Sequence, residues 1–394
     1  MIMLMHVLGQ TDFQGYCSLK SGVRKGLSQL LRLCLVLNSK PRLSMFSKQI
    51  IQCERRGVIL SVIRIRDVAK YAKVSPSTVS RTLTGSAYVD PEKKARVLKA
   101  VKELNYKPNM AARVLKKGHS KLIGLVIPDI TNPFYPEVVQ HLENYALMHD
   151  YSMILCDSRG DSEKEAIYFQ SLRDLFVDGI FYLAATENVD HIKPYVGEIP
   201  LVIINRDFDI NAPCINIDNQ DAAHQAMGHL LENGHRNILV MISGTERQYN
   251  QNRLEGVELA LRDYDMTLDD IKIVRGIGTE SDALEKVYEV MRGPDRPTGI
   301  FLFNDFMAFG VYKGIRKAGF HIPDDVSIVG FDDIPHMKFL DPSLTTIRHA
   351  VKDVSSIIFD TLLEQMESNT IAEHSYVEYP CELVIRDSVR DIRS

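Results

Sequence analysis

From residue 121 to its C-terminus the chain repeats one pattern, a short run of consecutive apolar residues followed by a longer amphipathic segment. The runs are "LIGLVIP", "SMILCDS", "DGIFYLAA", "LVIIN", "NILVMIS", "IKIVRG", "GIFLFND" and "VSIVGFD". A strand with one face in water alternates apolar and polar residues, whereas a strand covered on both faces is apolar throughout, as parallel strands beneath crossover helices are. Eight such units are too many for one ordinary sheet, and they predict an α/β body of two doubly wound parallel-sheet lobes. With 394 residues, 45% of them hydrophobic and 25% charged, the chain has the balance of a globular protein of two to three domains. No run approaches the roughly 18 apolar residues that a membrane helix needs, so no membrane partner is expected.

The net charge of −4 hides a segregation. Residues 1–62 hold 9 basic and 2 acidic side chains, residues 63–121 hold 15 and 4, and residues 122–394 hold 23 and 45. A basic head on an acidic body is the footprint of one domain that meets a polyanion and another that does something else. A merely solvated surface would scatter its charges and does not account for this concentration.

Within the basic region the periodicity is helical. Val68, Ala69 and Ala72 lie three or four apart, with Asp67 in the first turn, where a carboxylate meets the positive end of the helix dipole. The next helix opens with Ser75 as N-cap and Pro76 at the first helical position, and buries Val79 and Leu83. A third follows in "VDPEKKARVLKAVKELNY": Asp90 caps, Pro91 starts, and Ala95, Leu98, Val101 and Leu104 are expected to form the apolar stripe, ending near Asn105. Three short helices with a large positive charge outline an all-α helix-turn-helix domain over residues 63–107, whose second helix presents its N-terminal residues to a major groove.

The stretch "IRDVAKYAKVSPSTVSRTLTGSAYVDPEKKARVLKAVKELNYKPNMAARVLKKG", residues 65–118, resembles the DNA-binding head of the LacI/GalR family of bacterial transcription regulators, with D-V-A, V-S-x-x-T-V-S-R, N-Y-x-P-N and A-x-x-L in order. Single motifs of this size arise by chance, and an ordered set does not. The resemblance places the base-reading positions on Pro76, Ser77 and Arg81, with Thr78 presented beside them and Ser75 a cap that secondarily contacts phosphate. Arg81 can pair bidentately with a guanine edge. Pro76 departs from the polar or aromatic residue often found there and offers van der Waals contact alone. Residues 108–120 resemble the family's hinge helix, which folds when two subunits meet on DNA. Leu115 takes the position of the minor-groove wedge, Arg113 and Lys116 suit phosphates, and Asn109 and Ala112 would pack the paired hinges.

For residues 121–394 the resemblance implies a periplasmic-binding-protein-like fold, with chain crossovers between lobes near residues 217, 350 and 376 and a last strand, "ELVIRDS", in the second lobe. Ligands of doubly wound sheets sit outside the carboxyl ends of the strands. Polar residues just after strands are therefore candidates, and Asp129, Phe134, Tyr135, Asn205, Arg253, Asn304 and Asp332 are the expected effector-binding set. Arg206 and Asp305 belong to the same class of position, and Arg253 is expected to open a helix after a flexible "GTERQYNQN" loop. Carboxylates, amides and a guanidinium grip vicinal hydroxyls while an aromatic ring covers an apolar sugar face, so a sugar or sugar derivative is the expected effector. The chain contains no Trp, so no indole platform contributes.

Rival functions find less support. An enzyme would show a G-x-S-x-G elbow, a P-loop or a G-x-G-x-x-G turn, and none is present. His224, His229 and His235 have neither zinc-pair nor single-face spacing and read as surface or cap residues, and the six cysteines form no C-x-x-C pair. No catalytic residue, metal or cofactor is signalled. An exported solute-binding protein would match the body, but the basic head and the missing export signal oppose it. Residues 1–62, "MIMLMHVLGQ…" through Val62, read as an extension that is either a mis-assigned start or disordered, with initiation at Val62 favoured. The expectation is a cytoplasmic, homodimeric, effector-controlled repressor on a near-palindromic double-stranded operator. The end, "VIRDSVRDIRS", carries no leucine heptads that would build a tetramer.

Overall fold

The computed structural model describes residues 63–85, 87–106, 118–183, 186, 188–244, 248–368 and 373–393. The chain divides between Asn109 and Met110 into two compact units.

In the first unit, α1 (Ile65–Ala72), α2 (Pro76–Thr84) and α3 (Pro91–Glu103) surround a small core of Val68, Ala69, Ala72, Val79, Val97 and Ala100. Each end has a local cause. Arg64 N–H donates to Asp67 at 2.7 Å, and Lys73, left-handed at φ 53°, turns the chain out of α1. Ser75 Oγ accepts from Thr78 N–H at 3.2 Å, a cap worth about 1 kcal/mol. Asp90 accepts from Glu92 and Lys93 N–H, and Pro91 occupies the first turn.

The inward face of α3 differs from the expected one. Ala95 is exposed and Leu98 is 48% exposed, while Val97 and Ala100 are buried, with Val101 and Leu104 packed beside them. Three successive steps of three residues rotate by about half a helical circumference, so a 95-98-101-104 stripe cannot face one core, whereas 97-100-101-104 can.

The second unit holds two six-stranded sheets. Lobe 1 orders its strands β11-β5-β4-β3-β1-β2 and lobe 2 orders them β12-β10-β9-β8-β6-β7. Here β1 is Leu122–Ile127, β2 Ser152–Asp157, β3 Gly179–Leu183, β4 Leu201–Ile204, β5 Pro213–Ile217, β6 Ile238–Ser243, β7 Lys272–Ile277, β8 Gly299–Leu302, β9 Ser327–Asp332, β10 Thr345–His349, β11 Ser375–Tyr379 and β12 Cys381–Val384. All pairings are parallel except β10 with β12, which is antiparallel. Lobe 1 is covered on one face by α4 (Phe134–Met148) and α10 (Val351–Ser368) and on the other by α5 (Ser162–Asp174). In lobe 2, α6 (Asn219–Glu232) and α7 (Gln248–Arg262) pack together on one face, and α8 (Glu280–Met291) with α9 (Ala308–Lys317) on the other.

The chain passes between lobes after β5, after β10 and after β11. The third passage falls at Pro380, four residues beyond the expected 376, because β11 runs to Tyr379 before it turns into β12. His235, expected at a surface or cap, is instead buried between Thr298 Oγ1 and the Arg390 carbonyl, each at 3.1 Å, and burial lowers its pKa. Residues 1–62 and the hinge positions Asn109, Ala112, Arg113, Leu115 and Lys116 lie outside the described residues.

Candidate effector cleft and nucleic-acid interface

In each lobe the strand order reverses at one point: β1 has β2 on one side and β3 on the other, and β6 likewise separates β7 from β8. Such reversals leave a crevice at the carboxyl ends of the strands. The two crevices meet in a cavity between the lobes. Lobe 1 lines it with Asn132, Phe134, Tyr135, Leu183, Ile204 and Asn205, and lobe 2 with Asn219, Ser243, Tyr249, Arg253, Phe303, Asn304, Asp332 and His349. An outer vestibule shares Tyr135, Tyr249 and Asn304 and adds Asp129, Arg159 and Thr279. Six of the seven residues expected from sequence thus line the inner chamber, and Asp129 lines the vestibule.

Arg253 projects from the second turn of α7. The helix starts at Gln248, so the expected loop is helical from that residue on, and Asn250 Nδ2 docks its first turn on the Ser243 carbonyl at 3.0 Å. The guanidinium is buried. Its Nε donates to Asn219 Oδ1 at 2.8 Å, Nη1 donates to the Phe303 carbonyl, and its carbon lies 3.5 Å from the Phe331 ring centroid. Burial lowers its pKa, and the charge of Asp332 opposes that shift. The α6–α7 contact that makes the Asn219 bond possible depends on Gly256, where a Cβ would lie 2.1 Å from the Gln220 carbonyl oxygen.

Asp332 ends β9 at φ 121° and Asp333 follows at φ 54°, both in regions that cost a non-glycine residue about 1 to 3 kcal/mol. Asp305 is the strap that holds them there. Fully buried, it accepts from Phe331 N–H at 2.9 Å and Ile334 N–H at 3.1 Å, on either side of the strained pair, and from Thr346 Oγ1 at 2.7 Å. Burial pushes its carboxyl well above the usual carboxylate range, and the Asp332 charge adds to that. Arg348 Nε at 2.7 Å and Arg386 Nη2 at 2.6 Å fix the Asp333 carboxylate. Asp305 is therefore a support beneath the cavity, while Asp332 faces it, 3.3 Å from His349 Nε2.

An aromatic wall closes the lobe 1 side. Phe134 and Tyr135 meet edge to face at 5.3 Å, and the His349 ring lies 4.9 Å from Phe134. Asn205 sits left-handed at φ 64° just after β4. Arg206, next to it, is buried outside both chambers, with Tyr249 and Phe208 flanking its guanidinium. Two candidates also serve local turns. Asn304 Oδ1 accepts from Met307 N–H at 3.1 Å, and Asp129 Oδ1 accepts from Thr131 N–H and Oγ1 at 2.8 and 2.6 Å. The chamber thus sets a guanidinium, a carboxylate, an imidazole and several amides opposite rings, which suits a small ligand with several hydroxyls and one apolar face.

Asn219, Tyr249 and His349 line the chamber without having been foreseen. His349 ends β10, "TTIRH", whose mixed composition gave no apolar run, and Asn219 and Tyr249 sit in the first turns of helices. The rule that favours polar residues after strands finds Asn219, two residues after β5, once "PCINI" is read as a strand.

In the head, α2 exposes Pro76, Ser77 and Arg81, and Thr78 is half-buried. Ser75 Oγ lies 2.7 Å from Ser77 Oγ and 2.9 Å from Thr78 Oγ1, so the cap also orders the hydroxyls around it. Arg81 makes no ion pair among the described residues. Tyr71 of α1, not singled out from sequence, is 53% exposed, and its hydroxyl donates to Glu103, tying α1 to α3.

A helix-turn-helix head carried on a body with an inter-lobe ligand cleft defines a ligand-responsive DNA-binding regulator. Residues 64–109 match the bacterial regulatory proteins of the lacI family, and residues 227–389 match the periplasmic binding protein-like domain. The chain belongs to the LacI family. It is 36% identical to the ribose operon repressor of Halalkalibacterium halodurans, over 83% of this chain and 97% of that protein. It is 32% identical to the transcriptional repressor PurR of Vibrio vulnificus, over 83% of this chain and 99% of that protein. Among solved structures, a LacI family regulator from Enterococcus faecium with bound ribose is similar at a TM-score of 0.63 and 25% identity, over 69% of this chain and all of that one. Among the described residues no helix is long and apolar enough to cross a membrane.

Proposed function

We propose that this regulator is a homodimeric repressor that binds a near-palindromic operator and is controlled by a sugar or sugar derivative held between its lobes. The observation that carries this reading is the lining of the chamber, in which Arg253 and Asp332 of lobe 2 and Phe134, Tyr135 and Asn205 of lobe 1 border one cavity. A ligand that touches both lobes favours one relative orientation of them. That orientation sets whether two hinge segments, residues 108–120, meet and fold on DNA, a coupling of about 1 to 3 kcal/mol. The names of a ribose operon repressor and of a ribose-bound regulator among similar proteins support a pentose as the first ligand to try.

Two-fold symmetry of the protein requires matched half-sites, which Ser77, Thr78 and Arg81 read in the major groove while Leu115 wedges the minor groove between them. Exposed Leu147 and Met148 at the end of α4 and Leu155 on the edge strand β2 supply lobe 1 with apolar surface for pairing. The regulator acts in the cytoplasm, where the DNA is, and leaves its ligand chemically unchanged.

A thermal-shift screen of the full chain against D-ribose, other pentoses, hexoses and free nucleobases tests the ligand class, followed by operator binding with and without each hit. A sugar that raises the melting temperature and changes operator affinity supports the reading. Stabilisation by nucleobases alone overturns the sugar assignment, and binding to duplex DNA without salt dependence overturns the regulator reading.

A further inference from the structure

We propose that Asp207, Cys214 and His374 form a binding site for a borderline divalent cation of the zinc type in lobe 1, separate from the effector cleft. The three residues come from different segments: the loop after β4, strand β5 and the residue just before β11. Their ligating atoms all lie within 4.8 Å of one another. His374 Nε2 is 2.8 Å from Asp207 Oδ1, and Cys214 is wholly buried, with its thiol 3.7 Å from the Ala212 carbonyl.

A second observation points to the same place. Asn216, two residues along β5 and so on the same face as Cys214, is 6% exposed, and its Oδ1 has no hydrogen-bond donor among the described residues. A buried polar atom left without a partner is costly and is uncommon unless a water or ion serves it. The face of β5 that carries Cys214 therefore also carries a buried oxygen in need of a positive partner.

The donor set selects the cation. Magnesium and calcium take oxygen ligands, whereas sulfur with imidazole and carboxylate suits zinc. When the ion binds, Cys214 releases its proton to solvent and His374 coordinates as neutral imidazole. The two positive charges then meet one thiolate and one carboxylate, and the centre is neutral overall. Bond lengths of about 2.0 to 2.3 Å around a tetrahedral ion give ligand separations of roughly 3.3 to 3.7 Å. The present Asp207–His374 contact would open slightly and the sulfur would close in. The ion would join the loop that carries Asn205 and Arg206 to the start of β11.

The test is titration of the full-length, chelator-treated, reduced protein with Co²⁺, read by absorbance. A near-ultraviolet thiolate-to-cobalt band saturating near one equivalent, and bleached by Zn²⁺, is expected. Cys214→Ser should abolish the band, and Asp207→Asn and His374→Gln should each weaken binding more than about tenfold. His374 is exposed and its substitution leaves the core intact, so that variant decides the matter even if Cys214→Ser folds poorly. No band in the wild type, a band that survives Cys214→Ser, or unchanged affinity in His374→Gln overturns the site.

Discussion

Arg253 lies against the face of Phe331, its guanidinium carbon 3.5 Å from the ring centroid, and is held there by Asn219 and the Phe303 carbonyl before any ligand arrives. The conformational cost of placing a long cation is met by the fold, so its interaction with a ligand is almost wholly gain. Arg253→Ala is expected to leave operator binding intact and to weaken ligand binding about 10- to 150-fold, the loss of roughly 1.5 to 3 kcal/mol for a hydrogen bond to a charged group. Arg253→Lys should recover little, since an ammonium cannot reproduce the planar fork. Operator anisotropy with a ligand titration checks both, and unchanged ligand response in Arg253→Ala would remove the residue from the site.

Asp305→Ala strands two backbone N–H groups and the Thr346 hydroxyl, and frees the strained Asp332–Asp333 turn. It should cost about 3 to 5 kcal/mol of stability, since each buried donor left without its acceptor costs about 1 to 3 kcal/mol, whereas Thr346→Val should cost about 1 kcal/mol. Chemical denaturation of the two variants measures this, and equal small losses would show that Asp305 is not the strap.

The pH dependence follows from the direction of the Asp305 shift. Burial raises its folded-state pKa above the unfolded value near 4. Its contribution to stability is therefore full below about pH 4 and is lost as pH rises through the raised value. Relative to Asp305→Asn, the wild type should lose stability between pH 5 and the raised pKa, measured by denaturation across that range. A constant difference from pH 5 to 8 would contradict the raised pKa.

Arg81, exposed on α2 and without an ion pair among the described residues, is free to meet a base edge. Arg81→Ala should cost about 1 to 3 kcal/mol on the best operator and relax preference at one base pair per half-site. Selection of binding sites from a random pool reads this directly. A uniform loss across all sequences would instead identify Arg81 as a phosphate contact.

Leu115→Ala should weaken operator binding by a few kcal/mol while leaving non-specific DNA binding nearly unchanged, because the wedge acts on a kinked central step. Competition between operator and random duplex at fixed salt separates the two, and equal losses on both would refute the wedge.

The apolar-run rule found strands by composition, including the partly exposed β2 and β7, and passed over β5 and β10, which are buried yet carry polar residues. "PCINI", "TTIRH" and "SYVEY" form β5, β10 and β11, yet their polar residues interrupt any apolar run. In β11 four of five residues are exposed, so burial left no mark on its composition. His349 was missed because its strand was missed. Of the chamber residues that were anticipated, Asn205, Asn304 and Asp332 are placed by a local rule, polar groups after apolar strands, whereas Phe134, Tyr135 and Arg253 lie in the helices beyond. Asp305 obeys the same rule yet points beneath the cavity, since the rule gives a residue's position along the chain and leaves its rotation about the backbone to tertiary packing. The α3 face was misjudged by counting in threes where a helix advances by 3.6 residues per turn.

The three passages of the chain between lobes carry a consequence for biosynthesis. Lobe 1 begins at β1 but is completed only by α10 and β11, so the β5 edge of its sheet stays open until Tyr379 has left the ribosome. At about 5 to 20 residues per second, that exposure lasts on the order of ten seconds or more after β5 emerges. During that interval the nascent chain displays an unpaired parallel edge and an uncovered apolar face, the state in which it most needs a chaperone.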